Sequence, residues 1–356
     1  MVSATIDGGA LRHNLGVVRH LAPQSRVMAV IKANAYGHGL VAVARALESA
    51  DAFAVARVDE GLTLRLAGID APTVLLEGVF DREQLEAAAG AGFELVVHTP
   101  EQIELLRAAA PGINFKVWLK LDSGMNRLGF KGAAFDSAYA ALAALAAVRP
   151  PVNLFTHLAS ADEPDLATTA EQLARFAAST RGLAGERSIA NSAGMLNFAD
   201  AQADWVRPGL LLYGVSPVAG SIGADYGLRP VMTLNSHVIA RKDLAVGERV
   251  GYGGDWIAAR PTRLAVAAVG YGDGYPRALP SGAPVLVNGE RASLAGRVSM
   301  DMIGIDVTDL SRPVALGDPV VLWGEGLPVE EIAVWAETIP YELLCGISQR
   351  VAVTLR

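Results

Sequence analysis

The sequence has almost no cysteine: Cys345 stands alone among 356 residues. A single thiol excludes an internal disulfide and any cysteine-rich zinc or iron–sulfur site, and it fits a reducing, cytoplasmic setting. Charge is sparse too, at 19% of residues, with 30 Lys+Arg against 37 Asp+Glu. The resulting net charge of −7 offers no general field for nucleic acid or an anionic membrane, so any affinity for phosphate must come from a local site. One long uncharged run lies between Arg207 and Asp225, but Pro208, Pro217 and several glycines make it a poor membrane helix. The start, MVSATIDGGALRHNL, lacks the basic end, apolar stretch and small-residue cleavage site of a secretory leader. What is abundant is apolar surface. At 51% hydrophobic the chain can build a large core, and its length predicts one large domain with a smaller one.

Up to about residue 215, short apolar runs alternate with amphipathic stretches. The runs are VMAVIKA (27–33), FAVA (53–56), TVLLEG (73–78), ELVVH (94–98), FKVWLKLD (115–122), VNLFTHL (152–158), RSIANS (187–192) and WVRPG (205–209). Between them LVAVARALESA (40–50), PEQIELLRAAA (100–110), the alanine-rich run from Ala138 to Val148 and ATTAEQLARFAAST (167–180) read as helices. The runs are continuously apolar rather than alternating, which predicts a parallel sheet covered on both faces. Eight such units favour an α/β fold with an N-terminal (β/α)8 TIM-type barrel, placed here over 8–226. After 217–227 the texture changes to strands joined by turn signals, among them the Asn288-Gly289 hairpin pair, with one helix, VEEIAVWAETI. A mainly β C-terminal domain is expected over 227–356, with residues 1–7 packing against it.

The sharpest chemical feature is AVIKANAYGHG at the end of the first predicted barrel strand. A lysine there points into the barrel mouth, where burial and neighbouring cations favour a nucleophilic amine. On its own, Lys32 reads equally well as a surface lysine after a strand, and Gly37-His38-Gly39 as turn chemistry. The motif resembles the pyridoxal phosphate attachment segment of alanine racemases. The resemblance runs through the chain in order: LKLDSGMNRLGF (119–130), FTHLASAD (155–162), ANSAG (190–194), VRPGLLLYG (206–214), VGYGGDW (250–256), VGYGDGY (269–275), AGRVSMDM (295–302) and YELLCGISQR (341–350).

That resemblance implies pyridoxal 5'-phosphate as cofactor, bonded by Lys32, with Lys32 and Tyr252 as the two opposed bases of a proton transfer at Cα. It implies that Tyr252 arrives from a partner subunit, so that a homodimer shares its active sites. Tyr36, Arg127, His157, Ser192, Arg207, Gly209, Leu210 and Tyr341 match cofactor-contacting positions, the phosphate lying beyond the seventh and eighth strands. Arg207 matches an arginine facing the pyridine nitrogen, whose proton a guanidinium cannot take up, and His157 a histidine supporting it. Arg127 and Met300 match substrate-carboxylate contacts. Lys120 matches a lysine often carbamylated, since an anion there would orient Arg127; a lysine paired with Asp122 is the other reading. Asp162, Tyr271, Arg277 and Arg297 match the entrance, where a solvated rim is the other reading.

The activity implied is interconversion of L- and D-alanine, for peptidoglycan or alanine catabolism, with no metal. Four other readings stand beside it, one of them a barrel enzyme without pyridoxal phosphate, which a yellow protein absorbing as an aldimine would exclude. A broader racemase acting on serine differs by one hydroxyl in the substrate. A non-catalytic pyridoxal-phosphate carrier on the same barrel would have no use for the second domain and Tyr252. A decarboxylase on the related two-domain fold would want a carboxylate where Arg207 stands.

Overall fold

A computed structural model of the chain describes residues 2–163 and 167–356. Nine strands are met in order from the N-terminus: β1 (Ser3–Ile6), β2 (Arg26–Val30), β3 (Ala52–Val55), β4 (Thr73–Leu75), β5 (Glu94–Val97), β6 (Phe115–Lys120), β7 (Val148–Phe155), β8 (Arg187–Asn191) and β9 (Trp205–Arg207). Strands β2 to β9 close into a parallel barrel in sequence order, β9 pairing back onto β2 through Arg26↔Trp205 and Val27↔Val206. The (β/α)8 expectation is therefore met. Residues such as Val27, Met28, Ala29, Phe53, Val55, Val96 and Leu119 are fully or almost fully buried, which is why the strands read as unbroken apolar runs.

The barrel floor is tied by paired aromatic and charged side chains at the strand starts. The Trp118 Nε1 donates to Glu94 at 2.7 Å and the Trp205 Nε1 to Glu186 at 2.9 Å, while Lys116 lies 3.4 Å from both carboxylates. Chemistry is thus left to the opposite rim, where the strands end.

The second unit is an eight-stranded sheet. Its order is Thr262–Ala267, Ile303–Asp306, Glu290–Leu294, Pro284–Val287, Pro319–Trp323, Met232–Leu244, β1 and Ala352–Leu355. The mainly β expectation for the C-terminal region is met. The first strand lies within this sheet, antiparallel to Met232–Leu244 and parallel to Ala352–Leu355. The Asn288-Gly289 pair turns the hairpin between Pro284–Val287 and Glu290–Leu294, both residues at positive φ.

Helix ends differ from the sequence expectation: LVAVARALESA is helical over Leu40–Ala46 and PEQIELLRAAA over Pro100–Arg107. The alanine-rich stretch folds as Gly132–Ala143 and stops there, because Val148 already begins β7. The VEEIAVWAETI segment is helical only over Val329–Trp335, and a second helix, Pro340–Cys345, follows. Proline at its first turn starts that helix, which packs against the residues after Lys32.

Candidate active site

Lys32 lies one residue past the end of β2, after Ile31, and the chain then does something that L-residues avoid. Ala33, Asn34, Ala35 and Tyr36 all take the left-handed conformation, with φ of 54°, 52°, 53° and 51°. Such a conformation costs about 1–2 kcal/mol per residue. Local hydrogen bonds offset it. The Ala33 N–H donates to Glu60 Oε1 at 2.6 Å, and the Asn34 side chain accepts from the Leu40 N–H at 2.9 Å. His38 is buried, and that burial pulls its pKa down to about 4 against the backbone hydrogen bonds that favour the cation. A neutral ring donates from Nδ1 to the carbonyls of Ala35 and Tyr36, 3.0 and 2.8 Å away. Gly37, at φ 78°, passes so close to Leu344 that a Cβ would strike its carbonyl oxygen. The turn leaves Lys32 half-buried and sends Tyr36 inward, 7% exposed, with its ring 4.9 Å from Tyr213 and 5.7 Å from Tyr341.

Arg207 ends the last barrel strand and is 3% exposed. It donates to Ser188 Oγ at 2.7 Å, to the carbonyls of Thr156 and Ile189 at 2.6 and 3.1 Å, and lies 3.3 Å from His157 Nδ1. Its Cζ sits 3.9 Å above the Phe155 ring. Burial lowers its pKa to about 9, which still leaves a cation at neutral pH. His157 is held well below its ordinary pKa by burial first and then by Arg207, Lys120, Arg127 and Lys32, so its Nδ1 accepts from the guanidinium.

Next to Arg207 the backbone forms a cradle. Asn191 caps the short helix Ser192–Asn197 by accepting from the Gly194 N–H at 2.9 Å. Ser192 Oγ accepts from the N–H groups of Gly209, at 2.9 Å, and Leu211, at 3.5 Å. Gly209 precedes the turn Leu210–Tyr213, and a Cβ on it would come within 2.7 Å of Tyr36 Oη. Only glycine leaves that space open.

Lys120 ends β6 and is 6% exposed. Its pKa is driven down to about 8, by burial first and then by Arg207, Arg127 and Lys32. The pairing with Asp122 is not formed: Asp122 accepts from the N–H groups of Gly124 and Asn126 and faces Lys131 at 3.4 Å. Among the described residues the Lys120 amine has no hydrogen bond. Arg127, at the tip of the following loop, is exposed and equally without one. Four cations thus face one mouth with little negative charge to balance them.

Of the remaining candidates, Asp162 is exposed and close enough to Tyr341 to add to the upward push that burial exerts on its phenol, to about 12. The C-terminal domain carries the rest. Tyr252 is 69% exposed, between glycines at positive φ, and its phenol has no hydrogen-bond partner among the described residues. Arg297, paired with Asp255, lies against the Tyr252 turn. Tyr271, 43% exposed, and Met300, 52% exposed, flank one short junction in which the Gly272 N–H donates to the Met300 carbonyl at 2.9 Å. Arg277 is exposed. The structure therefore assembles Lys32, Tyr36, Lys120, Arg127, His157, Ser192, Arg207, Gly209, Leu210 and Tyr341 at the barrel mouth, and leaves Tyr252, Tyr271, Arg277 and Met300 exposed on the C-terminal domain. No group of acidic, histidine or cysteine side chains among the described residues could hold a metal. No helix among them is long and apolar enough to cross a membrane.

Sequence reading passed over two groups at this mouth. Glu60 lies 27 residues from the amide it receives, in a segment that none of the matched motifs covers. Tyr213, whose hydroxyl donates to the Val30 carbonyl at 3.0 Å, stands in the matched segment VRPGLLLYG without a role of its own.

Comparison with known proteins gives one consistent answer. Residues 6–217 match the model for "Alanine racemase, N-terminal domain" and residues 231–355 that for "Alanine racemase, C-terminal domain". The chain is 51% identical to the alanine racemase of Shigella dysenteriae and 50% identical to the biosynthetic alanine racemase of Escherichia coli K12, each over 99% of this chain and 98% of theirs. Among solved structures, the biosynthetic alanine racemase of Pseudomonas aeruginosa superposes with a TM-score of 0.96 at 46% identity, covering 100% of this chain and 99% of that one. The alanine racemase of Acinetobacter baumannii gives 0.94 at 38% identity, with the same coverage.

Proposed function

Because this chain belongs to the alanine racemase family of isomerases, we propose that it interconverts L- and D-alanine with pyridoxal 5'-phosphate as cofactor. The observation that carries the reading is the cluster of Lys32, Lys120, Arg127 and Arg207 around one barrel mouth, beside a cradle that a single Cβ at Gly209 would fill. An excess of positive charge next to backbone N–H groups and the Ser192 hydroxyl suits a phosphate dianion. Lys32 would hold the cofactor through its amine, Ser192, Gly209, Leu210, Tyr36 and Tyr341 its phosphate, and Arg207 its ring nitrogen.

When bound, the cofactor supplies the electron withdrawal that acidifies the substrate Cα. The rest falls to the chain's own side chains. The Lys32 amine takes or returns the proton at Cα on one face, and the Tyr252 phenol does so on the other, because inversion needs a donor opposite the acceptor. Arg207 is donor-only and surrounded by hydroxyl, imidazole and carbonyl partners, which withholds a proton from the ring nitrogen and disfavours decarboxylation. Arg127, with Met300 of the partner subunit, would orient the substrate carboxylate. Lys120 would take up carbon dioxide as a carbamate: its lowered pKa supplies neutral amine, and the resulting anion relieves the repulsion with Arg127 and Arg207.

The exposed Tyr252 supports a homodimer in which each partner's Tyr252, with Tyr271, Arg277, Arg297 and Met300, completes the other's mouth. Asp162 would stand at the entrance. A cytoplasmic setting and a role in supplying D-alanine for peptidoglycan agree with the lone cysteine and with relatives named biosynthetic.

Circular dichroism of L-alanine and L-serine incubated with the cofactor-loaded protein tests the reaction and its breadth. Loss of ellipticity with alanine is expected, abolished together with cofactor absorbance in Lys32→Ala. Racemisation surviving in that variant would end the reading.

A further inference from the structure

We propose that Glu60 is a positioning residue for Lys32, acting through the left-handed turn that follows it. The inference rests on Lys32 being the amine that holds the cofactor, and it adds a residue to which no role has been attached. Both oxygens of Glu60 are in use on two different barrel loops. Oε1 accepts from the Ala33 N–H at 2.6 Å, and Oε2 from the N–H groups of Ala56 at 2.8 Å and Arg57 at 3.3 Å. Glu60 thereby ties the segment after β2 to the segment after β3. Ile31, just before Lys32, is joined to the same neighbour by its N–H donating to the Ala54 carbonyl at 2.9 Å.

The strap matters because of what it holds. Ala33 is the first of four successive residues at positive φ, none of them glycine. The Ala33 amide sits at the step where the chain leaves β2 and reverses its handedness, and Glu60 is the only side chain among the described residues bonded to it. Asn34 and His38 brace the later part of the turn, through Leu40, Ala35 and Tyr36, but they lie beyond that step. Without the carboxylate the first residue would relax toward its ordinary right-handed or extended conformation. Lys32, immediately before it, would be re-aimed, and the loss of placement would appear in the chemical step.

The test uses the full chain supplied with pyridoxal phosphate, and reads cofactor affinity by absorbance titration, kcat, KM, melting temperature and amide hydrogen exchange at Ala33. Glu60→Ala is expected to fold, to expose the Ala33 amide to exchange, and to lower kcat roughly a hundredfold with a much smaller change in KM. Glu60→Gln has one acceptor oxygen where two are used, and should fall between it and the parent. The deciding variant adds Ala33→Gly to Glu60→Ala. Glycine enters the left-handed region without steric cost, so about tenfold of the lost kcat should return. A general structural or electrostatic role for Glu60 predicts no such rescue. If Glu60→Ala does not fold, the same glycine is placed on Glu60→Gln and the same recovery is required. Unchanged kcat and cofactor affinity in Glu60→Ala, or no recovery with glycine, overturns the proposal. Undiminished cofactor affinity in Lys32→Ala would instead overturn the assignment of Lys32, so the two failures are distinguishable.

Discussion

Lys120 places function and stability in opposition within one side chain. Unfolded, it keeps its proton up to a pKa near 10.5; folded, only to about 8, because burial and three neighbouring cations disfavour the charge. The cost to stability is therefore complete below pH 8 and disappears as pH rises through 10.5. It amounts to as much as about 3 kcal/mol. Lys120→Met, in buffer stripped of carbon dioxide, should raise the melting temperature near pH 7, with the difference vanishing by about pH 10.5. The same variant should lose turnover, and the parent protein in bicarbonate should carry the mass of one added carbon dioxide. A melting difference independent of pH would count against this account. Residue-scale features of this kind were only partly legible. The sequence motif supplies a lysine, but its missing partner emerges only once Asp122 is seen committed to the backbone of its own loop.

At the scale of elements, the cradle proposed for the phosphate is made by two short turns that depend on one missing methyl group. Gly209→Ala would bring a Cβ to 2.7 Å from Tyr36 Oη and 3.0 Å from its Cε2. Cofactor affinity should fall, and Tyr36→Phe in the same chain should restore part of it by removing the nearer atom, an interaction that a double-mutant cycle measures. Additive losses would show that the two positions do not compete for space. The barrel strands themselves were legible because fully buried parallel strands leave continuous apolar runs. Helix ends were less so: alanine carries its propensity past Ala143, and only the register of β7 stops it. The left-handed turn was invisible for a related reason. Alanine, asparagine and tyrosine do not announce positive φ as glycine does, and tertiary contacts from Glu60 and Leu344 impose it.

At the scale of the whole molecule, the barrel mouth holds one proposed base and the exposed Tyr252 of the second domain is the other. If each subunit lends its Tyr252 to its partner, Lys32→Ala and Tyr252→Phe chains should be feeble apart and recover on mixing. The mixed dimer rebuilds one of its two mouths from an intact lysine on one chain and an intact tyrosine on the other. No recovery after subunit exchange, established by sedimentation and mass measurement, would show that both bases come from one chain. The two-domain plan was readable from the change in texture after residue 227, whereas the exposure of Tyr252 depends on packing that no local pattern encodes.

The strand Ser3–Ile6 is hydrogen-bonded on one side to Met232–Leu244 and on the other to Ala352–Leu355. In chain order it precedes both neighbours, one of which follows the whole barrel and the other the rest of the second domain. The strand must therefore stay unpaired while the barrel is being made, and it gains its second neighbour only once Ala352–Leu355 has followed.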